Sequence, residues 1–111
     1  MFCRRCYRNK GYYRNNQQNE ISFNELKDKV SKGAILIDVR SPQEYNEGHL
    51  QGAVNVPDFE LINRIQKEIP KKNQLIIIYC QYGGRSRNAY MIMKRLGYTN
   101  IYNLYGGLDM I

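Results

Sequence analysis

One cysteine closes an apolar run: Leu75-Ile76-Ile77-Ile78-Tyr79 ends in Cys80-Gln81-Tyr82-Gly83-Gly84-Arg85-Ser86. The run has the composition of a buried strand, and after it Ala89, Ile92, Met93 and Leu96 recur at helical spacing, with Gly97 where a helix ends. Cys80 is therefore expected between the end of a strand and the start of a helix. A helix's first turn carries unpaired N–H groups and a partial positive charge, and two glycines let a loop turn its amides inward. Such a turn cradles an anion. For a cysteine placed inside it the natural anion is its own thiolate, and Arg85 and Arg87 close by add positive charge, so a lowered thiol pKa and a nucleophile are expected. A small buried hydrophobe is the commoner fate of a free cysteine, but that role needs no Gly-Gly-Arg-Ser behind it. Cys80 is the candidate catalytic residue, and Gln81, Tyr82, Gly83, Gly84, Arg85 and Ser86 form its candidate anion-binding loop.

The elements that must position this loop are legible on both sides. Ser22-Phe23-Asn24-Glu25 has the form of a capping box, and Phe23, Leu26 and Val30 give one apolar helical face closed by Gly33. Ala34 to Val39 is a short apolar run read as a buried strand, ending in Asp38-Val39-Arg40. Ser41-Pro42-Gln43-Glu44 repeats the capping logic for a short helix carrying Tyr45 and stopping at Gly48. A strand from Ala53 to Val56, a helix through Leu61, Ile62, Ile65 and Ile69, and a last strand from Thr99 to Leu104 before Gly106-Gly107 complete the pattern. Strands alternating with helices predict an α/β domain with a mainly parallel central sheet and helices on both faces, in which ligands bind at the carboxyl ends of the strands.

A chain of 111 residues with 42% hydrophobic content suits one small domain. Its longest apolar stretch, Leu75 to Cys80, is far short of a membrane span, and the N-terminus has no secretory-type apolar segment. Three cysteines without disulfide-rich spacing fit a reducing compartment. The expectation is a cytoplasmic protein with no membrane partner.

The net charge of +7 is uneven: residues 1 to 20 hold five basic side chains and one acidic, and the remainder twelve and nine. Residues 1–19, rich in Arg, Asn, Gln and Tyr without periodicity, are expected to form a flexible basic arm, with the folded domain at 20–111. Arg4, Arg5, Arg8, Lys10 and Arg14 interleaved with Tyr7, Tyr12 and Tyr13 raise the idea of RNA stacking, but the excess charge lies in the arm and not on a domain face, which weighs against nucleic acid as a partner. Cys3 and Cys6 form half of a four-ligand zinc site, and only Cys80 and His49 remain to complete one, so no metal is expected. A redox pair, thiols that exchange with Cys80, and plain surface thiols stay open as readings of this pair.

Assembled, these residues resemble a single-domain rhodanese, a sulfurtransferase. The resemblance covers roughly Ile21 to Leu108 and rests on five parts in order: Leu36-Ile37-Asp38-Val39-Arg40; Glu44-Tyr45; Gly48-His49-Leu50-Gln51-Gly52-Ala53-Val54-Asn55-Val56-Pro57; Cys80 to Ser86; and Leu96-Gly97-Tyr98 with Leu104-Tyr105-Gly106-Gly107. It implies a carrier of sulfane sulfur. The Cys80 thiolate takes sulfur from thiosulfate or a low-molecular-weight persulfide, holds it as a persulfide, and yields it to cyanide, a thiol or a protein acceptor, without metal or organic cofactor. It also implies that Arg85, closing a Cys-x-x-Gly-x-Arg loop, braces the loop or holds an anionic donor. Asp38 and Arg40 match a strand-end pair expected as a charged strut near the loop, and His49 matches a turn residue expected to support the site and not to act as a base.

Two departures bear on substrate. Gln81 and Tyr82 stand where thiosulfate-using members commonly carry a basic residue, which puts thiosulfate preference in question. The sequence also ends soon after Gly106-Gly107, where members of the family usually continue through a short segment with an aromatic residue and Leu108 and Ile111 are the apolar stand-ins, so that edge is expected to be poorly covered or to meet a partner. Two rival functions remain: a non-catalytic binding or regulatory module of the same fold, against which Cys80 itself argues, and a cysteine phosphatase or arsenate reductase. The four residues between Cys80 and Arg85 are one fewer than the latter motif requires, a ring better sized for one sulfur atom than for a tetrahedral oxyanion.

Overall fold

The computed structural model describes residues 19–111; the expectations for residues 1–18, including Cys3 and Cys6, lie outside the described residues. Both capping boxes form. Ser22 and Glu25 exchange side-chain and backbone bonds at the start of α1 (Phe23–Ser31), and Ser41 and Glu44 do so at the start of α2 (Pro42–Asn46), whose proline occupies the first turn. The strands are β1 (Glu20–Ile21), β2 (Ile35–Asp38), β3 (Val54–Asn55), β4 (Ile76–Tyr79) and β5 (Ile101–Leu104). Two further helices, α3 (Leu61–Glu68) and α4 (Gly84–Arg95), follow β3 and β4 respectively.

All pairings are parallel, in the order β1-β5-β4-β2-β3. Each residue of β4 is buried because both faces of the sheet are covered, which is why the strand reads as a continuous apolar run. Ile76, Ile78 and Cys80 pack with Leu61 and Ile65 of α3 and Ala89 and Met93 of α4. Ile77 and Tyr79 face the other way, toward Leu26 of α1 and the half-buried Tyr45 of α2. The connection from β2 leads outward to β3 and that from β4 leads the opposite way to β5. The crevice between the carboxyl ends of β2 and β4 is thus the point where the order reverses, and Asp38 and Tyr79 face each other there in register.

The elements are shorter than the sequence pattern predicts, for reasons visible in the backbone. Ala34 N–H returns to Lys29 carbonyl and Ala53 N–H to Leu50 carbonyl, so both complete turns before their strands begin. Thr99 N–H bonds Lys72 carbonyl instead of entering β5. Three features are new. Glu20–Ile21 adds an edge strand, a 3-10 turn at Asp58–Glu60 precedes α3, and Gly107–Met110 forms a second 3-10 turn at the C-terminus. That last turn covers part of the edge expected to be open: Leu108 N–H donates to Cys80 carbonyl at 3.0 Å and Asp109 N–H to Gln81 carbonyl at 2.9 Å, so it docks against the cysteine loop while Leu108 packs against the core and Met110 and Ile111 stay exposed.

Candidate functional site

Cys80 is 1% exposed, directly after β4. Its Sγ accepts from the Gly83 N–H at 3.1 Å and from the Ser86 N–H at 3.3 Å, and the thiol lies 3.3 Å from the Ser86 hydroxyl. Gly83 has φ +103, a left-handed conformation open to glycine, and that turn swings its N–H back toward the sulfur at the start of α4. The Cys80 and Gln81 carbonyls are bonded outward to the C-terminal turn, which leaves the loop's amides to face inward. A side chain at Gly107 is excluded by this contact, since a Cβ there would stand 2.5 Å from the Cys80 oxygen. Two fixed N–H donors at one sulfur, at the start of a helix, favour negative charge on that atom.

Two ion pairs flank the loop. Arg40 binds Asp38 through Nε and Nη2, donates from Nη2 to Gly48 carbonyl at 2.6 Å, and from Nη1 to Gln81 Oε1 at 3.3 Å. It thereby joins the end of β2, the Gly48 turn and the cysteine loop through one guanidinium. Asp38 also accepts from the Arg40 N–H, Asn55 bonds the carbonyls of both residues, and the Asp38 carboxylate raises the Arg40 pKa. Tyr79 beneath them has its phenol pushed up by burial, and its oxygen accepts from the Leu50 N–H. At the rim, Arg85 forms a fork with Glu44 at 2.8 and 3.0 Å. The Arg85 bond, aided by the Ser41 N–H, lowers the Glu44 carboxyl to about 2, and Cys80 and Asp58 share the electrostatic field of the Arg85 guanidinium.

The loop residues divide by exposure: Gln81 is half-buried and tied to Arg40, whereas Tyr82 stands 72% exposed at the tip. His49 is exposed. Its Nδ1–H donates to Tyr45 carbonyl at 2.8 Å and its ring stacks on Tyr45 at 3.7 Å, so its contacts support the turn after α2. Arg87, expected to add positive charge near Cys80, pairs its guanidinium with Glu20 of β1 at 2.9 Å. Two residues behind the site were not picked out from sequence: the buried Asn103 of β5, whose Oδ1 accepts from the Ser86 hydroxyl, and the partly buried Glu20, whose Oε2 accepts from Asn103. A polar residue inside the otherwise apolar Ile101-Tyr102-Asn103-Leu104 was the available signal for the first.

The rhodanese-like domain family matches residues 22–111. The thiosulfate sulfurtransferase PspE of Escherichia coli is 43% identical over 75 residues, covering 68% of this chain and 71% of that protein. A sulfurtransferase of Allochromatium vinosum is 34% identical over 92 residues, covering 81% of this chain and 84% of that one. Among solved structures, a human single-domain sulfurtransferase superposes with a TM-score of 0.72 at 31% identity, over 80% of this chain and 90% of that one. No described helix is long and apolar enough to cross a membrane.

Proposed function

The chain belongs to the rhodanese-like family and is a rhodanese-type sulfurtransferase; from that premise we propose that Cys80 carries the transferred sulfur as a persulfide. The observation that supports this most is the pair of N–H donors from Gly83 and Ser86 converging on Sγ. The Cys80 thiolate attacks the outer sulfur of a donor. With thiosulfate the S–S bond breaks, sulfite leaves with the bonding pair, and the charge stays on the new terminal sulfur of Cys80. A cyanide or thiolate acceptor then attacks that sulfur, and the Cys80 thiolate departs. Donors fixed at the sulfur need no reorganisation as charge shifts between these states. Gln81, Tyr82, Gly83, Gly84, Arg85 and Ser86 form the receiving loop. Asp38 and Arg40 hold it against β2, and His49 stiffens the turn that Arg40 grips.

On donor choice we read the loop as better suited to a small persulfide than to a thiosulfate dianion. Gln81 and Tyr82 add no cation, and the Arg85 charge is answered by Glu44. Acceptors are thiols, small or protein-bound, in a reducing cytoplasmic setting. We place the domain that carries this function from Glu20 onward, with the Asn19 carbonyl just before it already tied to β5.

The test is intact mass of the reduced protein, wild type and Cys80→Ala, after exposure to thiosulfate or to a small persulfide and then to cyanide. A gain of one sulfur, about 32 daltons, that requires Cys80 and is lost to cyanide supports the carrier mechanism. Labelling by the persulfide and weakly by thiosulfate supports the donor assignment. Absence of Cys80-dependent labelling by either overturns the carrier reading and favours a binding module.

A further inference from the structure

Behind Cys80 a chain of buried polar groups leads away from the loop mouth. In the sheet Asn103 is in register with Ile78 of β4 on one side and Glu20 of β1 on the other, so its side chain shares the face that carries Cys80. Ser86 is 0% exposed and Asn103 2%. The Glu20 side chain is 5% exposed, and among the described residues its Oε1 is buried with no hydrogen-bond partner. The order of bonds runs from the Cys80 thiol to Ser86 Oγ, from the Ser86 hydroxyl to Asn103 Oδ1, and from Asn103 Nδ2 to Glu20 Oε2, which also takes the Arg87 Nε–H.

The direction of this chain follows from donor and acceptor chemistry. Glu20, paired with Arg87 as a carboxylate, can only accept, so it draws the amide nitrogen of Asn103 toward itself and turns Oδ1 toward Ser86. A hydroxyl has one proton. Asn103 Oδ1 at 2.5 Å competes for it with the Gly83 carbonyl at 3.2 Å; with the proton directed to Asn103, the nearer acceptor, Ser86 presents a lone pair to Cys80 and accepts from the thiol. For the sulfur to become anionic, the thiol proton leaves to solvent and the Ser86 proton must turn toward sulfur. Asn103 then loses its donor, and rotating its amide would set Oδ1 against the Glu20 carboxylate.

We propose that Glu20 and Asn103 are positioning residues that set the direction of the Ser86 hydroxyl and thereby hold the Cys80 sulfur in its protonated form, opposing the two amides that favour its anion. The consequence for turnover rests on Cys80 being the sulfur carrier. The bond direction itself does not, and is read on the thiol.

The experiment uses the full chain labelled with 13C at cysteine Cβ, with the Cys80 signal assigned by its loss in Cys80→Ala, and follows that signal against pH. In Glu20→Gln the new amide can donate to Asn103 Oδ1, and the Cys80 midpoint moves down by about half a unit to one unit, a roughly three- to tenfold rise in anion below it. Arg85, Glu44, Asp58, Tyr79, Asp38 and Arg40, the charged and titratable groups around the loop on the other elements, are unchanged in these proteins. With Ser86→Ala as background the Glu20→Gln displacement disappears. Asn103→Ala, which leaves the Ser86 hydroxyl only the more distant Gly83 carbonyl in competition with the sulfur and keeps the Glu20–Arg87 pair, gives a displacement in the same downward direction as Glu20→Gln. No displacement in Glu20→Gln or Asn103→Ala overturns the proposal, as does a displacement that persists without the Ser86 hydroxyl, which would be the carboxylate acting through space. This readout can fail while sulfur transfer stands, and stand if sulfur transfer fails.

Discussion

The two ion pairs beside the cysteine loop have the same chemistry and opposite settings. Asp38–Arg40 has side chains 0% and 5% exposed and bonds in three directions, whereas Glu44–Arg85 is 33% and 37% exposed at the rim. A buried charge that loses its partner has no water to turn to, so the inner pair must stay closed and acts as a strut. An arginine at the rim can exchange its carboxylate for water or for an incoming anion at little cost, so the outer pair can open. One pair is closed into the fold beside the loop, and the other lies open to solvent at its rim.

Removing the inner cation tests this division most severely. Arg40→Met leaves Asp38 buried and unpaired and is expected to destabilise the fold by about 3–5 kcal/mol in denaturant unfolding. A loss under 1 kcal/mol would make the inner pair no more structural than the outer. Arg85→Ala is expected to lower kcat/KM for an anionic donor about tenfold while changing stability by no more than about 1 kcal/mol, because a charge-assisted bond to substrate is lost but only a half-exposed pair is broken. Equal losses of activity and stability would erase the distinction. Glu44→Gln keeps an acceptor for the Ser41 capping box and frees the Arg85 charge, so KM for thiosulfate is expected to fall severalfold, with smaller change for an uncharged donor. Unchanged KM would mean that Arg85 never faces the anion.

Acid gives the smallest effect. The Glu44 carboxyl is lowered from 4.5 to about 2, chiefly by Arg85, so its contribution to folding is present above the unfolded value and is lost as pH falls from about 4.5 toward 2. Because the pair is about a third exposed, that contribution is at most about 1 kcal/mol. It should shrink further in 1 M salt, whereas the Asp38–Arg40 contribution should not. Comparing acid unfolding of wild type and Glu44→Gln at both ionic strengths isolates it.

Much of the site was legible because its signals are local. The apolar run into Cys80, the glycine that puts Gly83 N–H on sulfur, and the Ser22–Glu25 and Ser41–Glu44 boxes each involve partners within a few residues. Strand β1 has no such signal. Two residues carry no periodicity, and they form a strand because β5 offers an open edge, with Asn103 N–H bonding Asn19 carbonyl and Tyr105 N–H bonding Ile21 carbonyl. Likewise Gly106-Gly107 announced a turn, but its docking depends on the carbonyls of Cys80 and Gln81 facing it across the fold.

Sequence alone determined the α/β class, the family, the cysteine at the strand-to-helix turn and the amides that surround it, since backbone geometry over a single turn follows from residue type. Tertiary structure decided which charges meet. Arg85 goes to Glu44 from 41 residues away, and Arg87, two positions further on, goes to Glu20 from 67 residues away. Both arginines read alike beside Cys80. Strand register and the direction each side chain leaves the helix, neither of which is recorded in local spacing, sent one to the rim of the site and the other to the buried chain behind it.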